Sequence, residues 1–105
     1  MQDALDAVSE PRRRAILRLI HHHELTAGAI AAHFPEVSRP AVSQHLRVLV
    51  QAGLVTERRD GTRRLYRTRP QGFAELRSFF EEFWDSRLET LRTEVEANLH
   101  SYPEE

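Results

Sequence analysis

Residues 38–50 combine side chains that bind phosphates and base edges with the spacing of one helix. Arg39, Ser43, Gln44 and Arg47 recur at intervals that place them together on one side of a helix. Guanidinium, hydroxyl and carboxamide groups hydrogen-bond to phosphate oxygens and to base edges in a DNA major groove. None of the four is acidic, so the pattern favours contact with DNA. An ordinary amphipathic surface helix is the alternative.

The residues around this face are typical of a helix that is held firmly in place. Ser38 is a good N-cap, Pro40 lies in the first turn, and Gly53 follows the last turn. The opposite side of the helix is apolar and predicts burial. Its members are Val42, Leu46, Leu49 and Val50.

A second helix is predicted directly before this one. Thr26 is a suitable N-cap for residues 27–33, and residues 34–37 form a turn. Helix, short turn and capped helix is the order found in a helix-turn-helix, here residues 26–53. Further upstream, Pro11 begins a helix with an apolar stripe. Its arginines (Arg12, Arg13, Arg14 and Arg18) are expected on a solvated face, with contact to the DNA backbone as the alternative.

Residues 54–68 change to a strand pattern with a turn in the middle. Two β-prone runs, 54–58 and 63–68, flank Arg59-Asp60-Gly61-Thr62, and Asp-Gly favours a hairpin. Like charges across such a ladder are unfavourable unless an anion approaches. A basic hairpin after a recognition helix is interpreted as the wing of a winged helix-turn-helix. A solubilising edge hairpin is the alternative.

Charge is distributed unevenly although the net charge is −1. Residues 38–69 contain eight arginines and two acidic residues, whereas residues 70–105 contain three arginines and nine acidic residues. A basic block in a nearly neutral chain is typical of a nucleic-acid-binding surface. The residues predicted to contact double-stranded DNA are Ser38, Arg39, Pro40, Ser43, Gln44, His45, Arg47, Arg58, Arg59, Arg63 and Arg64. For His45, packing beneath the helix is the alternative.

Apolar residues at intervals of three and four predict one long final helix over residues 73–99. At 1.5 Å per residue it would measure about 40 Å, whereas a compact chain of this length has a radius of gyration of about 13 Å. The helix should therefore project and be covered by a second copy. Folding back over its own core is the alternative. The residues predicted to form the dimer interface are Leu5, Phe73, Leu76, Phe80, Phe83, Trp84, Leu88, Leu91 and Val95.

Several function classes are excluded by composition. The chain has no cysteine, which rules out disulfides and thiolate metal sites. It has no membrane-span pattern and no signal-peptide pattern, so a cytoplasmic protein without membrane insertion is expected. No catalytic constellation is recognisable, and an enzyme is not expected. The three adjacent histidines, 21–23, point in different directions on a helix and are read as a polar helix end rather than as metal ligands.

These segments together resemble the ArsR family of bacterial winged-helix repressors over almost the whole chain, residues 1–105, as a single domain. The resemblance rests on residues 10–17, 24–26, 53–55 and 59–61, and above all on Ser38-Arg39-Pro40-Ala41-Val42-Ser43-Gln44-His45-Leu46-Arg47-Val48-Leu49. That run is most similar to the autorepressor subgroup. Glu36 makes the preceding turn one residue longer than in many relatives.

The resemblance implies a mainly α-helical fold with a small β-hairpin (α+β), dimeric through terminal helices at 1–22 and 72–100. It implies a repressor of a pseudo-palindromic operator, plausibly in its own promoter. The family's thiolate metal site would fall on Thr26, Ala27 and Gly28, and its zinc site on Asp85, Arg87, Asn98 and Ser101, so neither is retained. No metal or other cofactor is therefore expected, and the inducer is unknown. A metal-responsive repressor with an unusual His/carboxylate site is the alternative.

Overall fold

The computed structural model describes residues 1–84 and 86–101, without the side chains of Ser86, Leu88, His100 and Ser101. The chain is mainly helical, with one small sheet whose hairpin follows the fourth helix. The elements in order are α1 (Gln2–Val8), α2 (Pro11–His22), β1 (Leu25–Thr26), α3 (Ala27–Ala32), α4 (Arg39–Gln51), β2 (Val55–Asp60), β3 (Arg63–Thr68), a 3₁₀ turn (Pro70–Phe73), α5 (Ala74–Glu81) and α6 (Ser86–Ser101).

Side-chain caps begin the helices of the helix-turn-helix where they were predicted. Thr26 Oγ1 accepts a 3.1 Å hydrogen bond from the Ala29 amide. Ser38 Oγ accepts one of 3.2 Å from the Ala41 amide. Each cap satisfies an amide that has no partner within its own helix, which defines the first residue of α3 and of α4.

The end of α4 is closed by a Schellman motif around Gly53. Gly53 has φ +78°, a conformation that favours glycine. Its amide donates to the Val50 carbonyl, and the Leu54 amide donates to the Leu49 carbonyl, both at 3.0 Å. The chain therefore turns sharply out of α4 and directly into the wing.

The wing belongs to a three-stranded antiparallel sheet in the order β1-β3-β2. The hairpin itself was predicted, and its turn is tighter than expected because only Gly61 and Thr62 separate the strands. Gly61 has φ +65° at the first of these two positions, as in a type II′ turn. Strand β1 was not predicted, because two residues carry no alternation that a sequence pattern could reveal.

The core lies where α2, α3 and α4 meet the base of the sheet. Val42, Leu46 and Leu49 are at most 1% exposed, as the apolar face of α4 predicted. The other large, fully buried side chains are Ile16, Ile20, Ile30 and Leu54. Burial of each such side chain contributes about 1.5–3 kcal/mol. Because α4 is held by one face only, its polar face remains exposed.

A second glycine joins the wing to the C-terminal helices. A Cβ atom on Gly72 would lie 1.9 Å from the Gly53 carbonyl oxygen. The backbone entering the wing and the backbone leaving it therefore touch with no side chain between them. The Arg69 amide donates to the Leu54 carbonyl at 2.8 Å beside this contact.

The predicted single helix over residues 73–99 is wrong, because α5 ends at Glu81 and α6 begins at Ser86. The amides of Phe83 and Trp84 donate to carbonyls three residues back, which tightens and ends the last turn of α5. Asp85 and Ser86 are also poor residues for a helix interior, because their side chains compete for backbone groups.

The C-terminal part of the chain projects from the core as predicted. Residues 91–99 are all exposed, which contradicts the alternative that this segment folds back over the core. The radius of gyration is 18.8 Å, against about 13 Å for a compact chain of this length. Within the described residues, no helix is long and apolar enough to cross a membrane.

Candidate nucleic-acid interface

The exposed face of α4 presents Gln44 and Arg47 to solvent as a bonded pair. Arg47 Nη1 donates to Gln44 Oε1 at 2.6 Å. The guanidinium retains its other N–H groups, and the carboxamide retains its two N–H donors. The two side chains are therefore held next to each other, and both can still donate to an acceptor outside the protein.

A groove of about 500 Å³ runs between the start of α4 and the wing. Four of the predicted DNA-contacting residues line it: Arg39, Ser43, Arg63 and Arg64. We call it the recognition groove, and it also includes Tyr66. Arg39 reaches across its upper end, where Nη1 lies 3.4 Å from the position that a Cβ on Gly28 would take. The Arg39 guanidinium is therefore in van der Waals range of α3 at Gly28.

Tyr66 is a groove residue that the sequence reasoning missed. The side chain is 9% exposed, and burial raises the pKa of its phenol, together with the nearby Glu57 carboxylate. The phenol therefore remains neutral and able to donate a hydrogen bond at physiological pH. Tyr66 lies two residues after Arg64 on the same strand, and this period of two places both on one face.

Side chains alternate between the two faces of the hairpin, so its arginines lie on two different faces. Arg59 lies directly opposite Arg64 across the β2–β3 ladder. Both lie on the Tyr66 face, because residues two apart share a face. Within the described residues Arg59 has no ion pair. The like-charge pair anticipated from the sequence therefore lies on the face of the wing that borders the recognition groove.

Arg58 lies on the other face, where an ion pair within the protein competes with its predicted DNA contact. Its guanidinium forms a bidentate ion pair with Glu24, with hydrogen bonds of 2.7–3.0 Å. The hydrogen bond from Arg58 lowers the pKa of the Glu24 carboxyl. Arg58 therefore connects β2 to the segment preceding β1. Its charge is already neutralised by a fork-to-fork contact that leaves it a poor phosphate ligand.

Arg63 and Arg64 also have carboxylate neighbours, but these contacts are looser. Arg63 lies 3.1 Å from Asp60, and Arg64 lies 3.4 Å from Glu57. Each is a single contact between partly exposed side chains, and such pairs contribute less than about 1 kcal/mol. A phosphate can therefore replace the carboxylate at either guanidinium at little cost.

His45 is half-buried and contacts Arg13, which favours its alternative of packing beneath the helix over the predicted DNA contact. Its Nδ1 lies 3.4 Å from Nη1 of Arg13 on α2. Arg13 also donates to the carbonyls of Asp6 and Ala7 at the end of α1, at 3.1 and 2.7 Å. Arg13 therefore connects α1 to α4. Its guanidinium is engaged within the protein, whereas a solvated face or the DNA backbone had been expected for it.

Glu36, which makes the turn before α4 one residue longer than in many relatives, also holds that turn in place. The Glu36 carboxylate is paired with the Arg12 guanidinium, which also lies 5.7 Å from the centre of the Phe34 ring. A backbone hydrogen bond and the Arg12 contact lower the pKa of Glu36. The extra residue therefore anchors the turn to α2.

Most of the residues predicted to form a dimer interface lie on the exposed surface of the C-terminal segment. Phe80, Phe83, Trp84, Leu91 and Val95 are 49–70% exposed. Leu5 and Phe73 are half-buried against the core, and the side chain of Leu88 lies outside the described residues. Leu76 is corrected to a core residue, because at 5% exposure it has almost no surface left for a partner.

Histidine and acidic side chains do not gather around a common point within the described part of the chain, where no three of them could hold one metal ion. His21 instead lies with Nδ1 3.3 Å from Thr68 Oγ1. Asp85 lies outside the described residues, as does the side chain of His100.

Comparison with known proteins identifies several to which this chain is similar. Residues 8–58 match the model of a helix-turn-helix domain family. The chain is 47% identical over 85 residues to the HTH-type transcriptional regulator Rv2034 of Mycobacterium tuberculosis, covering 81% of this chain and 78% of that protein. It is 43% identical over 61 residues to the transcriptional repressor SdpR of Bacillus subtilis, covering 58% of this chain and 67% of that protein.

A solved structure extends the likeness to the wing. It is the homodimeric winged helix-turn-helix DNA-binding domain of Mb0332 from Mycobacterium bovis, a possible ArsR-family transcriptional regulator. It matches with a TM-score of 0.64 and 31% identity, over 83% of this chain and 80% of that one. The predicted winged helix-turn-helix fold is thereby confirmed. This chain belongs to the ArsR family of winged helix-turn-helix transcriptional regulators, and it is a DNA-binding transcriptional repressor.

Proposed function

We propose that two copies of this chain bind a pseudo-palindromic operator, each placing the exposed face of α4 in a major groove. The observation that carries this proposal is the recognition groove, which brings Arg39, Ser43, Arg63 and Arg64 together beside the exposed pair of Gln44 and Arg47. The residues proposed for base readout are on α4, namely Arg39, Ser43, Gln44 and Arg47. Ser38 and Pro40 are proposed to approach the backbone at its first turn.

The wing is proposed to follow the phosphates next to that major groove. Arg59, Arg63 and Arg64 supply the charge, and Arg58 is left out because Glu24 occupies it. The contacts of Arg63 with Asp60 and of Arg64 with Glu57 are weak enough to exchange for phosphate. Affinity should therefore fall steeply as salt concentration rises.

The dimer is proposed to form through the terminal helices. The exposed apolar side chains of α5, the following turn and α6 form a surface that a second copy can cover. The Mycobacterium bovis relative is described as homodimeric, which supports the same arrangement here. A two-fold axis would place the two α4 helices in successive major grooves, about 34–36 Å apart. The chain would then act in the cytoplasm as a regulator without catalytic activity, plausibly at its own promoter.

The experiment that tests base readout compares two alanine variants by fluorescence anisotropy on the promoter of the chain's own gene and on random DNA. Gln44→Ala should reduce the preference for the promoter, because Gln44 is proposed to read bases. Arg63→Ala should weaken binding to both DNAs about equally, because Arg63 is proposed to contact phosphate. A parallel loss on both DNAs for Gln44→Ala would contradict the base-reading role. Repetition with zinc and with a chelator tests the metal-responsive alternative.

A further inference from the structure

A second groove shares no lining residue with the recognition groove. It runs between the C-terminal half of α2 and the start of α5, with the end of β3 at its edge, and its volume is about 690 Å³. This volume falls within the range of small-molecule sites in proteins, about 300–1,000 Å³. We call it the α2–α5 groove.

The walls of the α2–α5 groove are apolar. Leu17 from α2 faces Phe73 and Ala74 across it, with Pro70 at one end. Leu17 and Phe73 also contact the core, so these walls are supported from behind. Phe73 is the only one of them that is also proposed for the dimer interface. The groove therefore adjoins the proposed dimer interface and shares Phe73 with it.

The rim of the α2–α5 groove is basic. Arg18, His21, His22 and Arg77 line it, and none of the lining residues is acidic. Arg77 is paired at 2.7 Å with Glu81, one turn further along α5. Arg18 is exposed and has no hydrogen bond or ion pair within the residues that the structure describes. The rim thus has at least one guanidinium without a counterion beside an apolar wall.

We propose that the α2–α5 groove binds an amphipathic carboxylate, with its apolar body against Leu17 and Phe73 and its anionic head on Arg18. Charge complementarity selects this class of ligand, because the rim has cationic groups and no acidic one. An apolar cation of the same length would meet Arg18 and Arg77 as like charges. His21, which already faces Thr68, would lie beside the ligand at the edge formed by β3.

The position of the groove gives such a ligand a means of influencing DNA binding. It joins α2, which is connected to α4 through Arg13 and His45, to α5, which leads into the proposed dimer surface. A ligand held between α2 and α5 would change the distance between these elements. This consequence rests on the proposed dimeric operator binding, whereas the binding site itself does not.

The experiment is isothermal titration calorimetry of the intact protein with decanoate, below its micelle concentration and without DNA. Decyltrimethylammonium, which has the same chain and the opposite charge, is the matched ligand control. Arg18→Gln should weaken decanoate binding about tenfold, the loss expected for one charge-assisted hydrogen bond. Arg92→Gln removes an arginine of α6 outside the groove and should leave binding unchanged. Ala74→Trp should fill the groove and abolish binding.

Several results would overturn the proposal. These are no binding of decanoate, equal binding of the two ligands, or equal effects of Arg18→Gln and Arg92→Gln. Dissociation of the protein by Arg18→Gln in sedimentation would mean that a second copy covers the groove, which also overturns it. Promoter affinity of the ligand-free Arg18→Gln variant should match that of the parent. A failure of ligand binding can therefore be told apart from a failure of DNA binding.

Discussion

Neighbouring arginines on β2 should differ sharply in what they contribute to DNA binding. Arg59 lies on the Tyr66 face opposite Arg64 and has no ion pair within the described residues. Arg58 lies on the other face in a bidentate pair with Glu24. Replacement of either one by glutamine removes the same charge from the same strand. Only Arg59→Gln is expected to remove a phosphate contact.

The expected size of the difference follows from counterion release. Each phosphate contact contributes about 0.9 to the slope of log affinity against log salt concentration. A dimer loses two such contacts, so Arg59→Gln should reduce the slope by about 1.8. Between 50 and 200 mM salt, the parent should then lose about 12-fold more affinity than the variant. The slope of Arg58→Gln should equal that of the parent.

The assay is fluorescence anisotropy with one promoter duplex at five or six salt concentrations. Thermal unfolding of both variants shows whether loss of the exposed Glu24 pair changes stability, which is expected to be a small effect. Equal slopes for the two variants would refute the assignment of the two faces. A slope for Arg59→Gln that matches the parent would refute phosphate contact by the wing at this position.

Four further substitutions address the dimer, the backbone junction and acid stability. Trp84→Ala and Leu91→Glu should each yield monomers in sedimentation velocity and lose promoter binding, because both remove exposed apolar surface. Gly72→Ala should lower the free energy of unfolding in urea by about 3 kcal/mol, since its Cβ would clash with the Gly53 carbonyl. Glu24→Gln should be less stable than the parent at pH 7 but not below the parent's folded-state pKa, which lies under 4.5.

Each of these expectations has a result that contradicts it. An unchanged sedimentation coefficient for both dimer variants would remove the C-terminal helices from the interface. An unfolding curve of Gly72→Ala that superimposes on the parent's would mean that the junction tolerates a side chain. The sign for Glu24 is fixed by its lowered pKa: the stabilisation is present at neutral pH and lost as the carboxylate is protonated. A stability difference that does not shrink as the pH is lowered through the titration of the carboxyl would therefore contradict an electrostatic role.

Local signals predicted the helix-turn-helix and the wing well. The caps at Thr26 and Ser38, the glycine at 53 and the Asp-Gly turn each act within a few residues, so sequence spacing is enough to find them. The buried face of α4 followed from periodicity in the same way. These features determined where the recognition face lies and which side chains it carries.

Contacts between distant segments were not predictable from spacing. The pairing of Arg58 with Glu24 spans 34 positions, and that of Arg13 with His45 spans 32. Both contacts involve a residue predicted to bind DNA, Arg58 in one and His45 in the other. The break before Ser86 was missed for another reason: the apolar period continues through it, although the backbone does not continue as a helix.

The direct backbone contact between Gly72 and Gly53 couples the start of α5 rigidly to the end of α4. Side chains between two elements can repack and absorb a small displacement, but two backbones in direct contact have nothing to rearrange. A tilt of α5 would therefore be passed to the end of α4 with little loss. Substitution of Gly72 cannot easily weaken this coupling and keep the fold, because every residue other than glycine would place a Cβ against the Gly53 carbonyl oxygen. A displacement of α5 should therefore also displace the end of α4, next to the proposed DNA-binding face.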